Sequence, residues 1–170
     1  REHGAALLRG LPLQRFLCNL FGNREDPISG RQMPCHEAWR PANVASISSP
    51  LGTQIPQAVG VGWAAKLKGR DDVALVYFGD GATSTNDFHT GLNFAGVFQT
   101  PTIFLCRNNQ WAISVPLARQ TASPTLAVKA QAYGIPGVRV DGNDLLAVIA
   151  VTREAHERAR TGGGPTLIEA

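Results

Sequence analysis

The sequence predicts an α/β fold in which a mainly parallel sheet carries helices on both faces. Two apolar stretches, residues 73–78 and 102–106, are rich in β-branched and aromatic side chains and show no polar alternation. That composition is typical of strands that are covered on both faces. Between them, Phe88, Leu92 and Ala95 recur at helical spacing, with Ser84 as the expected N-cap. A strand, a helix and a second strand joined in this way form one right-handed βαβ unit.

The rest of the chain continues this alternation of helices and strands. Helices are expected over residues 1–22 (two pieces separated near Gly10 and Pro12), 52–68, 125–133 and 143–160, and strands over residues 137–140 and 166–168. The segment 23–43 has no periodicity, and a loop of that length inside a compact domain is typically functional. Such an alternating order of elements predicts a parallel sheet.

Composition limits the classes of function. With 170 residues and 44% hydrophobic residues, the chain is long enough for one core, and we predict a single domain over residues 1–170. The net charge of +3 is scattered, and no apolar run reaches the roughly 18 residues that span a membrane. We therefore expect neither nucleic acid nor membrane as a partner. The cysteines, Cys18, Cys35 and Cys106, contain no C-x-x-C pair, which favours a reducing compartment such as the cytoplasm.

The beginning of the sequence resembles the interior of a protein. It opens at Arg1, Met33 is its only methionine, and residues 1–9 read as part of a helix already under way. We therefore interpret the sequence as an excerpt of a longer chain.

Two polar side chains follow the predicted strands of the central unit. Asp80 comes after the first strand and Asn109 after the second, and neighbouring strands lie about 4.8 Å apart. Ligands of open α/β sheets bind at the carboxyl ends of the strands. A carboxylate and an amide oxygen at that edge suit magnesium, which completes its coordination with phosphate oxygens and water. Gly79 and Gly81 would let the backbone approach an anion closely, so the predicted ligand is a magnesium diphosphate.

These residues carry a family resemblance. Gly79-Asp80-Gly81, followed after 26 residues by Asn108-Asn109, resembles the thiamine diphosphate motif. Residues 1–4 (REHG), 30–34 (GRQMP), 48–56 (SSPLGTQIP) and 139–144 (RVDGND) resemble the alpha subunit of heterotetrameric 2-oxo acid dehydrogenases of the branched-chain and pyruvate types. The resemblance covers essentially the whole chain.

The resemblance implies roles for particular residues. Asp80, Asn109 and the backbone carbonyl of Trp111 would bind magnesium, and seven residues would contact thiamine diphosphate: Arg1, Ser49, Leu51, Gly79, Gly81, Ala82 and Arg107. Leu51 would hold the cofactor bent, and Arg107 would contact the diphosphate. Ser48, Pro50, Thr53 and Gln54 match a potassium site of branched-chain members, although hydroxyl groups before a helix also serve as simple caps.

The implied activity is oxidative decarboxylation of a 2-oxo acid with transfer of the acyl group to a lipoyl-bearing acyltransferase component. The activating glutamate of this family belongs to the beta subunit, so the chain should act only in a heterotetramer of two alpha and two beta subunits. GRQMP and SSPLGTQ favour a branched-chain substrate over pyruvate. The location would be the cytoplasm, or the mitochondrial matrix in a eukaryote.

Two other readings remain open. A non-catalytic scaffold paralogue is favoured only by Thr85-Asn86, where family members commonly have Glu-Gly. A nicotinamide-dependent dehydrogenase is suggested by residues 60–65 (GVGWAA), which match G-x-G-x-x-A. That fingerprint must follow a strand, whereas the residues before Gly60 read as a helix. Cys35-His36 has no further ligands at zinc spacing. His89 is expected to be a packed or capping residue, and His3 and His156 are expected to be surface residues.

Overall fold

The computed structural model describes residues 2–170, which divide after Pro50 into two compact units. The first unit contains α1 (His3–Leu8) and α2 (Leu13–Phe21), followed by an irregular segment with one 3₁₀ turn, Arg40–Ala42. The two helices separate where predicted, because Gly10 adopts a φ of +99° and Pro12 is the N-cap residue of α2. The single-domain organisation stays a prediction.

The long loop of the first unit is ordered around a buried carboxylate. Asp26 accepts hydrogen bonds from Asn19 Nδ2 at 3.1 Å, from the backbone N–H of Ile28 at 3.1 Å and from that of Gly30 at 2.8 Å. Burial raises the pKa of Asp26, but the hydrogen bonds from Gly30, Ile28 and Asn19 outweigh it and leave the pKa below its ordinary value. The ionised carboxylate therefore stabilises this loop.

The second unit is built on a four-stranded parallel sheet. Its strands are β1 (Ala74–Gly79), β2 (Thr102–Arg107), β5 (Gly137–Arg139) and β6 (Thr166–Glu169), and their order in the sheet is β1-β2-β6-β5. The helices are α3 (Gln54–Leu67), α4 (Asn86–Phe98) and α5 (Leu145–Arg160). A two-stranded antiparallel hairpin, β3 (Trp111–Ala112) and β4 (Val115–Pro116), follows β2.

Helices cover both faces of the sheet. On one face, Val76 and Phe104 pack with residues of α3, α4 and the 3₁₀ helix Ala127–Tyr133. On the other face, Ile103 and Ile168 pack with Ala155 of α5. Because successive strand residues point to opposite faces, the continuous apolar character of β2 matches burial on both sides. The predicted α/β class with a mainly parallel sheet is confirmed.

One local prediction was wrong. The N-cap of α4 is Thr85, whose Oγ1 accepts a hydrogen bond from the backbone N–H of Phe88 at 3.3 Å; Ser84 ends the preceding 3₁₀ turn. The N-cap lies one residue later than predicted because this tight 3₁₀ turn precedes α4. The helix predicted over residues 125–133 is present as the 3₁₀ helix Ala127–Tyr133, and it ends at Gly134, whose φ is +64°.

The small residues of α3 serve packing inside the second unit. A Cβ on Gly62 would lie 2.7 Å from Thr102 Oγ1, so this glycine lets α3 approach the start of β2. Gly91 of α4 makes a similar approach to Ile55 of α3, where a Cβ would lie 2.7 Å from Ile55 Cγ2. Gly60 and Ala64 are exposed. Between residues 2 and 170, no helix has the length and apolarity needed to cross a membrane.

Candidate functional site

The Gly-Asp-Gly turn and the Asn-Asn turn leave neighbouring strands at the same edge of the sheet. Gly79, the last residue of β1, is paired with Arg107, the last residue of β2. Asp80 begins a 3₁₀ turn, Asp80–Ser84, directly after this pair, and Asn109 follows two residues beyond Arg107. The parallel register therefore brings both turns to the carboxyl edge of the sheet, where ligands of such folds bind.

Asp80 is a buried carboxylate that is held by one side-chain hydrogen bond. Its exposed fraction is 2%, and Oδ2 accepts a hydrogen bond from Gln120 Nε2 at 2.8 Å. The backbone carbonyl of Asp80 accepts a second bond, from Thr83 Oγ1 at 2.8 Å, which tightens the turn. A carboxylate is buried only where a hydrogen bond or a cation compensates its desolvation. This arrangement suits a cation-binding carboxylate that is already oriented.

Gly81 is the position where the turn meets the hairpin. A Cβ there would lie 2.7 Å from Ala112 Cβ, closer than side chains approach one another. At Gly79, by contrast, the nearest atom to a Cβ would be the Arg107 carbonyl oxygen at 4.0 Å. The protein's own packing thus requires glycine at Gly81, and it leaves room for a side chain at Gly79.

The Asn-Asn pair divides into a structural residue and an exposed one. Asn108 Nδ2 donates to Glu169 Oε1 at 2.9 Å, which ties the turn to the end of β6. Asn109 is exposed, and its Oδ1 accepts from the backbone N–H of Trp111 at 3.0 Å. An amide oxygen has two lone pairs, so Oδ1 retains one for a cation. Trp111 is paired with Pro116 in the hairpin. Because proline has no backbone N–H, Pro116 cannot donate a hydrogen bond to the Trp111 carbonyl.

Three further residues organise this edge, and the sequence analysis did not identify them. They are Gln120, Glu169 and Lys129. Buried Glu169 accepts hydrogen bonds from Asn108 and from the backbone N–H of Ala127 at 2.8 Å, and Lys129 Nζ donates to Thr83 Oγ1 at 3.1 Å. Desolvation by burial lowers the pKa of Lys129. The position of Glu169, an acidic residue at the end of the apolar strand β6, was a sequence signal that could have identified it. Gln120 lies in a polar loop whose sequence shows no recognisable motif.

Arg107 and Ala82 complete the predicted residues of this edge. Arg107 is exposed at the end of β2, and Ala82 is buried within the turn. Cys106, the residue before Arg107, is a buried free thiol. Burial, reinforced by the Glu169 and Asp80 carboxylates, raises the pKa of Cys106 to about 12, so the thiol stays protonated.

Ser49 lies in the first unit, where buried His36 fixes its hydroxyl. His36 Nδ1 lies 2.9 Å from the Pro34 carbonyl oxygen, which can only accept, so Nδ1 carries the proton. Ser49 Oγ lies 2.9 Å from Nε2 of the same ring, within hydrogen-bond distance. His36 therefore has a hydrogen-bonding role within the first unit. Ser48 and Pro50 belong to the same unit, and Arg1 lies outside the described residues.

Leu51, Thr53 and Gln54 lie at the start of the second unit. Leu51 is 62% exposed. Thr53 occupies the N-cap position of α3, but its side chain does not cap the helix. Gln54 Nε2 donates to the Tyr77 carbonyl at 3.1 Å, while its buried Oε1 has no hydrogen-bond partner within residues 2–170. A simple capping role therefore does not account for these two residues.

The alternative sites are weaker. Gly60 and Gly62 lie inside α3, not after a strand, so the nucleotide-binding fingerprint lacks its structural context. Within residues 2–170, no group of three or more His, Cys, Asp and Glu side chains is arranged to hold a metal ion. His3 is not a plain surface residue, since its Nδ1 contacts buried Glu37 Oε1 at 2.8 Å. His89 contacts the Tyr133 hydroxyl, and His156 is exposed as expected.

Comparison with known proteins gives a consistent family. The family described as Dehydrogenase E1 component matches residues 1–170. The chain is 49% identical over 99% of its length to 2-oxoisovalerate dehydrogenase subunit alpha 1, mitochondrial, of Arabidopsis thaliana, and covers 36% of that protein. It is 46% identical over its full length to 2-oxoisovalerate dehydrogenase subunit alpha, mitochondrial, of Mus musculus, covering 38%. It thus spans little more than a third of these relatives.

A solved structure shares the fold. The structure of a candidate thiamin diphosphate-dependent enzyme from Mycobacterium smegmatis matches with a TM-score of 0.55 at 20% identity. The match covers 88% of this chain and 27% of that chain. At this identity the likeness concerns the fold alone, and it agrees with the parallel sheet and its helices.

Proposed function

Because the chain belongs to the dehydrogenase E1 component family, we propose that it forms the diphosphate-binding part of a 2-oxo acid dehydrogenase alpha subunit. The activity would be thiamine diphosphate- and magnesium-dependent oxidative decarboxylation, followed by acyl transfer to a lipoyl-bearing acyltransferase component. The observation that carries this proposal is the buried Asp80 carboxylate, held at the carboxyl edge of the sheet beside a turn that requires glycine.

The donor set fits a hydrated magnesium ion. Asp80 would supply one carboxylate oxygen, Asn109 its amide oxygen and Trp111 its backbone carbonyl, and phosphate oxygens and water would fill the remaining positions. A site with a single carboxylate also explains why no cluster of acidic and histidine side chains is found among residues 2–170. Arg107 and the backbone N–H groups of Gly81 and Ala82 would bind the diphosphate.

The protein's residues would bind and orient the cofactor, which supplies the carbon–carbon bond chemistry when bound. Gly79 would allow close approach of the diphosphate, because its backbone carries no side chain at an exposed edge. Ser49, whose hydroxyl is held by His36, would contact the aminopyrimidine end, and Leu51 would keep the cofactor bent. Arg1 would contribute a further charge to the diphosphate.

A potassium site is a second part of the proposal. Ser48, Pro50, Thr53 and Gln54 would supply its oxygen ligands. The support comes from the buried Gln54 Oε1, which has no hydrogen-bond partner within residues 2–170. A cation would satisfy that oxygen.

The substrate is proposed to be a branched-chain 2-oxo acid rather than pyruvate, because the relatives above are named 2-oxoisovalerate dehydrogenase alpha subunits. The partner would be a beta subunit, in a heterotetramer of two alpha and two beta subunits. Those relatives are also named as mitochondrial, which favours the mitochondrial matrix if the chain comes from a eukaryote.

The test compares cofactors on the full-length alpha chain assembled with beta. Thiamine diphosphate and NAD are titrated with and without magnesium, for wild type and Asp80→Ala. We expect that wild type binds thiamine diphosphate in a magnesium-dependent way. Asp80→Ala should abolish this binding, because it removes the only charged protein ligand proposed for the metal. Near-native affinity of Asp80→Ala would refute the metal assignment, and binding of NAD alone would favour the nicotinamide alternative. Cofactor binding without turnover of any 2-oxo acid would favour the scaffold alternative.

The requirement for beta is tested separately. The isolated full-length alpha chain, saturated with thiamine diphosphate and magnesium, is assayed for decarboxylation with an artificial electron acceptor. We expect no turnover until beta is added, since the activating carboxylate would come from beta. Robust turnover with beta shown to be absent would contradict the shared site.

A further inference from the structure

We propose that Gln120 is a positioning residue of the cation site. Its amide nitrogen fixes one oxygen of Asp80, and its amide oxygen accepts a hydrogen bond from a water molecule bound to the magnesium ion. The inference rests on the proposed function, and it adds a residue that neither the family motif nor any sequence pattern identified.

The orientation of the Gln120 amide is set by its partners. Nε2 lies 2.8 Å from Asp80 Oδ2 and 3.0 Å from the Val115 carbonyl oxygen. A carbonyl can only accept hydrogen bonds, so the Gln120 atom beside the Val115 carbonyl must be the NH₂ group, and the same group contacts Asp80 Oδ2. Each of its two hydrogens has a partner, and the amide oxygen must point elsewhere.

That oxygen is an unsatisfied acceptor. Gln120 Oε1 is buried and has no hydrogen-bond partner within residues 2–170. A buried acceptor without a donor loses its interaction with water and gains nothing in return. Oε1 lies 3.9 Å from the place that a Cβ on Gly81 would occupy, so it borders the turn that is proposed to receive the diphosphate.

The acceptors of this site cannot supply the missing hydrogen. Diphosphate oxygens, Asp80 and the Val115 carbonyl are all acceptors and cannot satisfy Oε1. Magnesium gives up its hydration water reluctantly and usually keeps several water molecules, and water bound to a cation is a strong donor. A coordinated water is therefore the donor that a magnesium diphosphate would bring to this position.

Magnesium and calcium respond differently to the loss of such a residue. Magnesium demands near-ideal octahedral geometry, whereas calcium accepts irregular geometry and variable ligand number. If the Asp80 carboxylate is free to rotate, the binding of magnesium should therefore weaken more than the binding of calcium. A general destabilisation of the fold would weaken the binding of both ions to the same extent.

The experiment uses Gln120→Met, which keeps the length of the side chain but removes both the donor and the acceptor. Gln131→Met is the matched control, because Gln131 is exposed and lies outside the site. The full-length alpha chain assembled with beta is titrated with magnesium and with calcium at saturating thiamine diphosphate, and binding is followed by calorimetry. We expect the magnesium Kd of Gln120→Met to rise about 10–100-fold, the range typical of residues that orient metal ligands. The calcium Kd should change much less, and the control should match wild type.

A second variant covers the case in which Gln120→Met folds poorly. Gln120→Asn keeps an amide but is one methylene shorter, and it should show the same magnesium-selective loss. Magnesium affinity within twofold of wild type, or equal losses for both ions, would overturn the inference. If Asp80→Ala abolishes binding while the Gln120 variants behave as wild type, only this inference fails. If wild type itself shows no magnesium-dependent binding, the proposed function fails.

Discussion

The contact between Gly81 and Ala112 allows a quantitative test of how the turn and the hairpin are coupled. A Cβ at position 81 would lie 2.7 Å from Ala112 Cβ, whereas carbon atoms in contact prefer about 3.5–4.0 Å. Gly81→Ala must therefore push the turn and the hairpin apart by roughly an ångström. Overpacking of this kind costs about 1–3 kcal/mol of the free energy of unfolding.

The structure also predicts the compensating change. Once Ala112 is replaced by glycine, the nearest atom to the new Cβ is the Cα of residue 112 at 3.7 Å, an ordinary van der Waals contact. Ala112→Gly alone should cost about 0.5–1 kcal/mol through backbone entropy. The double variant should therefore lose less stability than the two single variants lose in sum. The difference, the coupling free energy, should be about 0.5–3 kcal/mol.

The assay is a double-mutant cycle on the full-length alpha chain. Denaturant unfolding gives the four stabilities, and titration with thiamine diphosphate and magnesium gives the four dissociation constants. Gly81→Ala should also weaken cofactor binding, because the displaced hairpin carries the Trp111 carbonyl, and Ala112→Gly should restore part of the affinity. Additive effects of the two substitutions on both quantities would refute the reasoning that the Gly81–Ala112 contact couples turn and hairpin.

Three further predictions address single residues. Arg107→Ala should weaken diphosphate binding by about 1.5–3 kcal/mol, because the substitution removes a charge-assisted contact. An unchanged Kd would show that Arg107 is an ordinary surface charge. Thr85→Ala should lower the free energy of unfolding by about 0.5–2 kcal/mol through loss of the α4 cap, measured by denaturant unfolding; no loss would contradict that role. The pKa of Cys106 is raised from 9.0 to about 12, so its protonated thiol favours the folded state at pH below about 9. Stability should then fall by about 1.4 kcal/mol per pH unit from pH 9 towards 12, and Cys106→Val should lack this component of the pH profile.

The sequence predicted those features that depend on local composition. The apolar strands β1 and β2, the break near Gly10 and the helix predicted over residues 143–160 follow from side-chain type and spacing, and all are confirmed; the last helix begins at Leu145. The carboxyl-edge location of Asp80 and Asn109 followed from the rule for parallel sheets, and the pairing of Gly79 with Arg107 agrees with it.

The features that sequence reasoning missed depend on contacts between distant residues. Gln120 reaches Asp80 across 40 positions, and Glu169 reaches Asn108 across 61. No periodicity reports such pairs, because periodicity describes neighbours along the chain and not which distant residues meet in the fold. The shift of the α4 cap from Ser84 to Thr85 has a similar origin, since the preceding residues form a 3₁₀ turn that the spacing of apolar residues does not reveal.

The structure also bears on Thr85-Asn86, the only feature that favoured a scaffold without activity. Thr85 Oγ1 donates to the Ala82 carbonyl at 2.8 Å and accepts from the backbone N–H of Phe88 at 3.3 Å. One hydroxyl thus closes the turn that carries Gly81 and also begins α4. A Cβ on Gly52, whose φ is +89°, would collide with this threonine side chain.

Thr85 is therefore integrated into the turn rather than disturbing it, and Gly52 provides the space that it occupies. Asn86 is the first residue of α4 and is exposed, so it need not alter the position of Asp80. A degenerate paralogue would be expected to lose the buried carboxylate or its partner before it lost a tolerant helix cap. Here the carboxylate of Asp80 and its bond from Gln120 are both present, so we infer that the departure from the family pattern is compensated locally and leaves the proposed catalytic function intact.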